Sequence, residues 1–191
     1  MRLFVAVEID AAVARVIDEC SAALKRDALS HAPRARITWV PSERLHLTIR
    51  FIGEVDDDRV DTIADALKPA LTTKAFDLAC EGAGAFPASG HPRVLWIGIA
   101  GGVESLAALE REVSGRLTSC GIPRETRQYR PHLTLARVRD ATGLRSGPLM
   151  EGCATRRFGT SHVDAITLFQ SRLSPQGPTY VAIQRTRLQS A

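Results

Sequence analysis

The segment His46-Leu47-Thr48-Ile49-Arg50-Phe51-Ile52-Gly53-Glu54-Val55 decides the fold of this 191-residue chain. Polar and apolar side chains alternate along it, which is the period of a β-strand with one buried face. On this alternation the polar residues His46, Thr48 and Arg50 point to one side, and the apolar residues between them point to a core. The segment therefore predicts a strand that displays an imidazole and a hydroxyl together on its polar face.

The tetrapeptide at the start of this segment occurs twice. His46-Leu47-Thr48-Ile49 recurs as His132-Leu133-Thr134-Leu135. The second copy lies in another alternating segment, residues 130–138, in which Arg130, His132 and Thr134 share one face. The two copies are almost half the chain apart, so they predict two pseudo-equivalent lobes. If the lobes face each other, two imidazoles and two hydroxyls converge on one cleft.

Apolar periodicity outside the two motifs predicts three helices and further strands. The helices are expected at residues 11–29, 56–71 and 104–120, and the strands at residues 3–9, 37–40, 76–85, 94–100, 163–173 and 179–188, with a turn at 174–178 between the last two. Residues 141–159 fit either a short helix or a loop. This order of elements predicts an α+β fold with largely antiparallel sheets.

Composition and charge are those of a soluble globular protein that suits an anionic partner. Hydrophobic residues make up 45% and charged residues 24%, and the formal net charge is +4. A mildly basic chain favours nucleic acid as a partner, although many unrelated proteins carry a similar charge. The four cysteines have no disulfide or zinc spacing and are expected to be mostly small buried residues. With no signal peptide and no apolar run of bilayer length, we expect a cytoplasmic protein that does not contact membranes.

Two imidazoles across a cleft are suited to hydrolysis of a phosphoester. One takes a proton from the attacking water, and the other gives a proton to the leaving oxygen. A free imidazole has a pKa of about 6.5, so both protonation states are available at neutral pH. Each proton transfer typically contributes on the order of 10²–10⁴ in rate. Thr48 and Thr134 are the candidate donors to the non-bridging phosphate oxygens, and Arg130 and Arg50 are the candidate substrate-binding cations.

Other readings of the two motifs have less support. A single His-x-Thr in a strand is more often a half-buried, hydrogen-bonded residue, but the repetition of the tetrapeptide argues against that reading. A zinc site would need a third protein ligand, and neither motif strand offers a carboxylate on the histidine face. The remaining histidines, His31, His91 and His162, lack ligand spacing. No glycine-rich nucleotide loop and no serine or cysteine nucleophile motif is present, so neither a metal nor a cofactor is expected.

Nearly the whole chain resembles the two-histidine (2H) phosphoesterase superfamily, and within it the bacterial and archaeal RNA 2′,3′-cyclic phosphodiesterases once described as 2′-5′ RNA ligases. Both motifs match the family pattern without departure. Outside the motifs, Gln170 stands where an aromatic or basic residue is common, and Arg50 where lysine is common. The segments that carry the resemblance are residues 2–7, 39–41, 45–55, 93–98, 130–137 and 168–180.

The resemblance implies one bilobal domain over residues 1–191, in which two pseudo-symmetric antiparallel sheets carry helices on the outside and enclose a central cleft. It implies hydrolysis of RNA 2′,3′-cyclic phosphate ends to 2′-phosphomonoesters without a metal. It also implies that His46 is the proton donor to the leaving 3′ oxygen, that His132 is the base that activates water, and that Thr48 and Thr134 hold the phosphate.

Two other functions use the same cleft. One is hydrolysis, or reversible joining, of 2′-5′-linked oligonucleotides, because the same groups serve both directions. The other is an RNA-end binding protein without turnover, although binding alone does not require two titratable groups. We expect a monomer whose partner is RNA or an oligonucleotide with a cyclic phosphate end. The aromatic residues Phe4, Tyr129 and Phe169 could stack on bases, but the core or the cleft wall is the favoured position for each.

Overall fold

The computed structural model describes residues 1–174 and 177–190, in which nine strands and four α-helices form a mixed α+β fold. The strands are β1 (Arg2–Glu8), β2 (Arg36–Trp39), β3 (His46–Glu54), β4 (Phe76–Phe86), β5 (Val94–Gly101), β6 (His132–Asp140), β7 (Arg157–Val163), β8 (Ala165–Ser174) and β9 (Gly177–Arg187). The helices are α1 (Ala11–His31), α2 (Val60–Leu67), α3 (Val103–Ser119) and α4 (Ser146–Met150). The turn expected at 174–178 includes residues 175 and 176, which lie outside the described residues.

The sheet consists of two antiparallel halves joined at the two motif strands. Its order is β7-β4-β5-β6-β3-β1-β8-β9, and β2 pairs with β6 beside the junction. The two halves meet where Leu47 of β3 pairs with Leu133 of β6. The predicted α+β class with antiparallel strands is confirmed, and the two expected sheets are the two halves of one sheet.

The two halves repeat the same register around their motif strands. In one half, β1 pairs with β3, and in the other, β5 pairs with β6. Both pairings contain a one-residue shift at the same place, just after the motif threonine. The matched pairs are Glu8/His46 with Gly98/His132, Val7/Leu47 with Ile97/Leu133, Ala6/Thr48 with Trp96/Thr134, Val5/Arg50 with Leu95/Ala136, and Phe4/Phe51 with Val94/Arg137. The pseudo-equivalence therefore extends beyond the repeated tetrapeptide to the irregularity that follows it.

The helices cover the sheet and bury the apolar face of the motif strands. Helix α1 packs against β7 and α4, whereas α3 packs against β3 and α2. Leu47 and Leu133 are fully buried, which anchors both motif strands to the core. Burying each such side chain stabilises the fold by about 1.5–3 kcal/mol. The opposite face of the same strands is thereby left to display the motif histidines.

Several element boundaries differ from the predictions. Helix α2 ends at Leu67 rather than at residue 71, because Pro69 has no backbone N–H with which to continue the helical hydrogen bonds. Strand β7 was not predicted as a separate strand; only every second or third of its residues is buried, so it lacks a clean alternation. Residues 141–159 contain the short helix α4 as well as the start of β7. The second motif strand begins at His132, so Arg130 precedes it.

Three of the four cysteines behave as small buried residues. Cys20, Cys80 and Cys153 are buried, Cys120 is half-buried, and all four are free thiols. Among the described helices, none combines the length and the apolar character that crossing a bilayer requires.

Candidate active site

His46 is fixed at the start of β3 by its backbone and by aromatic neighbours. Its Nδ1 lies 2.8 Å from the carbonyl oxygen of Arg44. The ring centroids of Phe4 and Tyr180 lie 5.0 Å and 5.1 Å from the imidazole. Burial lowers the pKa of His46, the hydrogen bond to Arg44 partly offsets this, and the positive charge of Arg137 lowers the pKa further.

His132 repeats this arrangement at the start of β6. Its Nδ1 lies 2.7 Å from the carbonyl oxygen of Arg130, and the edge of its ring meets Phe86 at 5.2 Å between centroids. A carbonyl oxygen only accepts hydrogen bonds, so Nδ1 of both histidines carries the proton. In the neutral ring Nε2 is then the atom with the free lone pair. The backbone therefore sets the same tautomer in both motifs.

Two adjoining cavities contain the two histidines. One, of about 310 Å³, has His46 in its wall, and the other, of about 290 Å³, has His132. Thr48 and Phe51 line both cavities. The two histidines thus face spaces that meet at one threonine and one exposed aromatic ring.

Only one of the two motif threonines lies in these walls. Strands β3 and β6 are antiparallel and pair at Leu47 and Leu133. Thr48 therefore lies beside His132, and Thr134 lies beside His46. Thr48 lines both cavities, as a phosphate-holding hydroxyl requires. Thr134 is half-buried opposite Trp96, outside the walls of both cavities.

Arg50 lies on the opposite face from the one predicted. The register shift in β3 pairs Arg50 with the core residue Val5, so its side chain turns away from His46. It is 6% exposed, donates a hydrogen bond to the carbonyl oxygen of Pro123, and has one nitrogen 3.9 Å from Glu125. The register shift thus separates Arg50 from the face of His46, but Arg50 still lines the cavity of His132 together with Thr48, so its role as a substrate-binding cation stays a prediction. Its contacts secure the segment that leads into the second motif strand.

Arg137 lies on the cleft face, although strict alternation from His132 would place its side chain on the core face. The equivalent register shift in β6 pairs Ala136 with the core residue Leu95 and turns Arg137 to the cavity beside His46. The sequence signal that could have located it is the repeated spacing itself, since Arg137 corresponds to Phe51 and both follow their motif histidine by five residues.

Other predicted residues have mixed outcomes. Arg130 is exposed and lines the cavity of His132, and its role in substrate binding stays a prediction. Phe4 is 4% exposed, stacks on Phe169 at 5.3 Å and lines the cavity of His46, so it belongs to the cleft wall. Tyr129 donates a hydrogen bond of 3.2 Å to the carbonyl oxygen of Thr48 and so supports the first motif strand. Tyr180 was not predicted, because only the fold brings β9 beside His46.

Metal binding has no candidate centre in the part of the chain that the structure describes. There, no group of three or more histidine, cysteine, aspartate or glutamate side chains is arranged to hold an ion. What the site does contain is two imidazoles in one tautomeric state, a shared threonine and several guanidinium groups. Such a site is suited to proton transfer on an anionic substrate.

Comparison with known proteins shows which family the chain belongs to. The model of the 2′-5′ RNA ligase superfamily matches residues 8–173. The chain belongs to this superfamily. The match covers both motif strands, and the resemblance noted from the sequence is thereby confirmed.

Relatives within the superfamily match most of the chain. A protein of Aeropyrum pernix named RNA 2′,3′-cyclic phosphodiesterase is 35% identical over 167 residues, which are 87% of this chain and 94% of the relative. One of Archaeoglobus fulgidus with the same name is 34% identical over 184 residues, covering 94% and 96% of the two chains. The crystal structure of TT0787 of Thermus thermophilus superposes with a TM-score of 0.75 at 27% identity and covers 100% of this chain and 99% of that one.

Proposed function

We propose that this superfamily member hydrolyses RNA 2′,3′-cyclic phosphate ends to 2′-phosphomonoesters by metal-independent acid–base catalysis, with residues 1–191 acting as one bilobal domain. The observation that carries the proposal is the matched pair of imidazoles. His46 and His132 each bind a backbone carbonyl through Nδ1 and line cavities that meet at Thr48. The relatives named RNA 2′,3′-cyclic phosphodiesterase support RNA as the substrate.

The chemical step moves two protons and exchanges one P–O bond. Nε2 of neutral His132 takes a proton from water as the water oxygen bonds to phosphorus. The bond between phosphorus and the 3′ oxygen breaks, and Nε2–H of protonated His46 gives its proton to that oxygen. The product carries a free 3′ hydroxyl and a 2′-phosphomonoester. The two histidines then return to their starting states by exchange with solvent.

The surroundings of His46 support its role as the acid. Burial and the nearby Arg137 lower its pKa, so the protonated ring is a stronger proton donor, while a smaller fraction of it is protonated at neutral pH. The same positive charge stabilises the oxygen that develops negative charge as the P–O bond breaks. His132 acts in the neutral form, in which Nε2 is free to accept the proton of the attacking water.

Charge on the phosphate is balanced by groups on both sides of the shared threonine. The Thr48 hydroxyl donates to a non-bridging oxygen, Arg130 approaches from the side of His132, and Arg137 approaches from the side of His46. Thr134 lies beside His46 across the paired strands, and its hydroxyl is the second candidate donor to the phosphate. Charge-assisted hydrogen bonds of this kind are about twice as strong as neutral ones.

The test replaces each histidine by asparagine. The side-chain amide of His46→Asn or His132→Asn keeps a donor near the position of Nδ1–H, so the bond to the backbone carbonyl is preserved, but Nε2 is lost. We expect each variant to lose on the order of 10²–10⁴ in kcat on an RNA with a 2′,3′-cyclic phosphate end while its thermal unfolding stays close to that of the parent. A double variant that still turns over this substrate at the parent rate would refute the mechanism. RNA binding that survives in all variants, without turnover by the parent protein, would favour an RNA-end binding protein.

A further inference from the structure

The cavity of His46 has an unusually one-sided charge. Its walls include the guanidinium groups of Arg2, Arg137 and Arg139, and no carboxylate lines it among the described residues. The cavity of His132 is different, because Glu110 and Glu125 lie there beside its arginines. Two cavities that share a wall therefore differ sharply in their preference for negative charge.

The three guanidinium groups are available to a ligand. Among the described residues, none of Arg2, Arg137 and Arg139 forms an ion pair with a carboxylate of the protein. Arg137 and Arg139 are exposed on β6. Arg2 begins β1 and lies 4.9 Å over the ring of Phe51, which is itself 46% exposed. The cations approach the cavity from both sides of β3, since β1 and β6 are its two neighbours.

The number of cations exceeds what the reacting group needs. A 2′,3′-cyclic phosphate is a diester with a single negative charge, and Arg137 beside His46 already balances it. Each further nucleotide on the 5′ side of an RNA adds one phosphodiester charge. Exposed arginines that line a groove beside an aromatic ring are typical of sites that follow a single-stranded backbone.

We infer that Arg2 and Arg139 bind the backbone phosphates of the nucleotides on the 5′ side of the cyclic end. The enzyme then prefers the end of an oligoribonucleotide to a 2′,3′-cyclic mononucleotide, which has no such phosphates. This inference rests on the proposed function. It adds that the enzyme prefers longer substrates, and it names the residues that recognise the additional nucleotides. Neither arginine contacts the reacting phosphate, so their effect lies in the affinity for longer substrates.

The experiment compares a 2′,3′-cyclic mononucleotide with a trinucleotide that ends in the same cyclic nucleotide. Values of kcat/KM are measured for both at several salt concentrations, using the parent protein, Arg139→Ala and Arg2→Gln. The control is Arg26→Ala, which removes an exposed arginine on α1 that lines neither cavity. Thermal unfolding of each variant shows that it is folded.

We expect the parent protein to favour the trinucleotide and each of the two variants to lose on the order of tenfold of that preference, mainly through KM. The slope of log(kcat/KM) against log salt for the trinucleotide should become shallower by about 0.7 for each phosphate contact removed. Arg26→Ala should leave both the preference and the slope unchanged.

Three results would overturn the inference. Equal values of kcat/KM for the two substrates with the parent protein would show that the upstream phosphates do not contribute to binding. Variants that lose the same factor on both substrates act at the reacting phosphate or on the fold, and the proposed function then stands without this extension. A parent protein that hydrolyses neither substrate would instead refute the proposed function itself, and the inference with it.

Discussion

Leu47 and Leu133 are paired across the junction of the two sheet halves, and each stands between the histidine and the threonine of its motif. Because the strands run antiparallel through this pair, each histidine lies beside the threonine of the other motif. The pair is fully buried on the core side. One apolar contact thus sets the position of four polar side chains on the opposite face.

Truncation of this contact should destabilise the protein strongly. Leu133→Ala removes a fully buried side chain at the junction, and we expect the free energy of unfolding to fall by about 2–5 kcal/mol. Urea denaturation measures the change. Leu29→Ala is the matched control, since Leu29 is 63% exposed on α1 and its loss should change stability by less than about 0.5 kcal/mol. Similar losses in the two variants would contradict the role given to the junction.

Replacing Arg50 by methionine should mainly lower stability, whereas replacing Arg137 by methionine should mainly lower kcat/KM. Arg50→Met removes a buried charge-assisted hydrogen bond to Pro123, so we expect a loss of about 1.5–3 kcal/mol in stability and a smaller loss in kcat/KM. Arg137→Met removes an exposed cation beside His46, so kcat/KM should fall at least about tenfold with little change in stability. Denaturation and steady-state kinetics on the same two proteins give the comparison. If Arg50→Met instead lowered mainly kcat/KM and Arg137→Met mainly lowered stability, Arg50 would have to lie on the cleft face, as strict alternation predicted.

The pKa of His46 should respond to Arg137. The positive charge of Arg137 disfavours protonation of the imidazole, so Arg137→Met should raise the pKa of His46. The recovery is partial, because burial is the larger cause of the lowered pKa. Titration of the His46 ring by NMR, assigned through the signal that disappears in His46→Asn, measures the shift. A pKa that stays the same or falls would show that Arg137 does not act on this ring.

Gly84 should tolerate no side chain, because Trp96 lies against it. A Cβ at Gly84 would lie 2.5 Å from the indole of Trp96, which packs on Phe86, the aromatic neighbour of His132. We expect Gly84→Ala to cost roughly 1–3 kcal/mol of stability and to lower kcat several-fold through displacement of these rings. Gly115→Ala is the control, since nothing lies within 4 Å of its Cβ in α3, and it should stabilise the protein by up to about 1 kcal/mol. A Gly84→Ala variant as stable and active as the parent would refute the packing argument.

Alternation and repetition in the sequence were sufficient to predict much of the fold. The period of two in the segments around Leu47 and Leu133 located both motif strands, and the repeated tetrapeptide located the pair of histidines. Apolar stripes predicted α1 and α3 to within two residues at each end. These features depend on local periodicity, which a single sequence displays directly.

The parts that were missed depend on partners distant in the chain. The register shifts in β3 and β6 exchange the faces of Arg50 and Arg137, and a shift arises from pairing with a neighbouring strand rather than from local composition. Tyr180 reaches His46 only because β9 pairs with β8 and β8 with β1. The end of α2 before Pro69 was readable from the sequence, since a proline has no backbone N–H to continue a helix.

The most direct test of two-histidine catalysis is the pH–rate profile for a short RNA with a 2′,3′-cyclic phosphate end, measured in excess EDTA with identification of the product. We expect a bell-shaped dependence of kcat/KM, since the reaction needs one histidine protonated and the other neutral, and a 2′-phosphomonoester as the product. Absence of turnover in EDTA, restored by a divalent metal, would contradict the metal-independent mechanism.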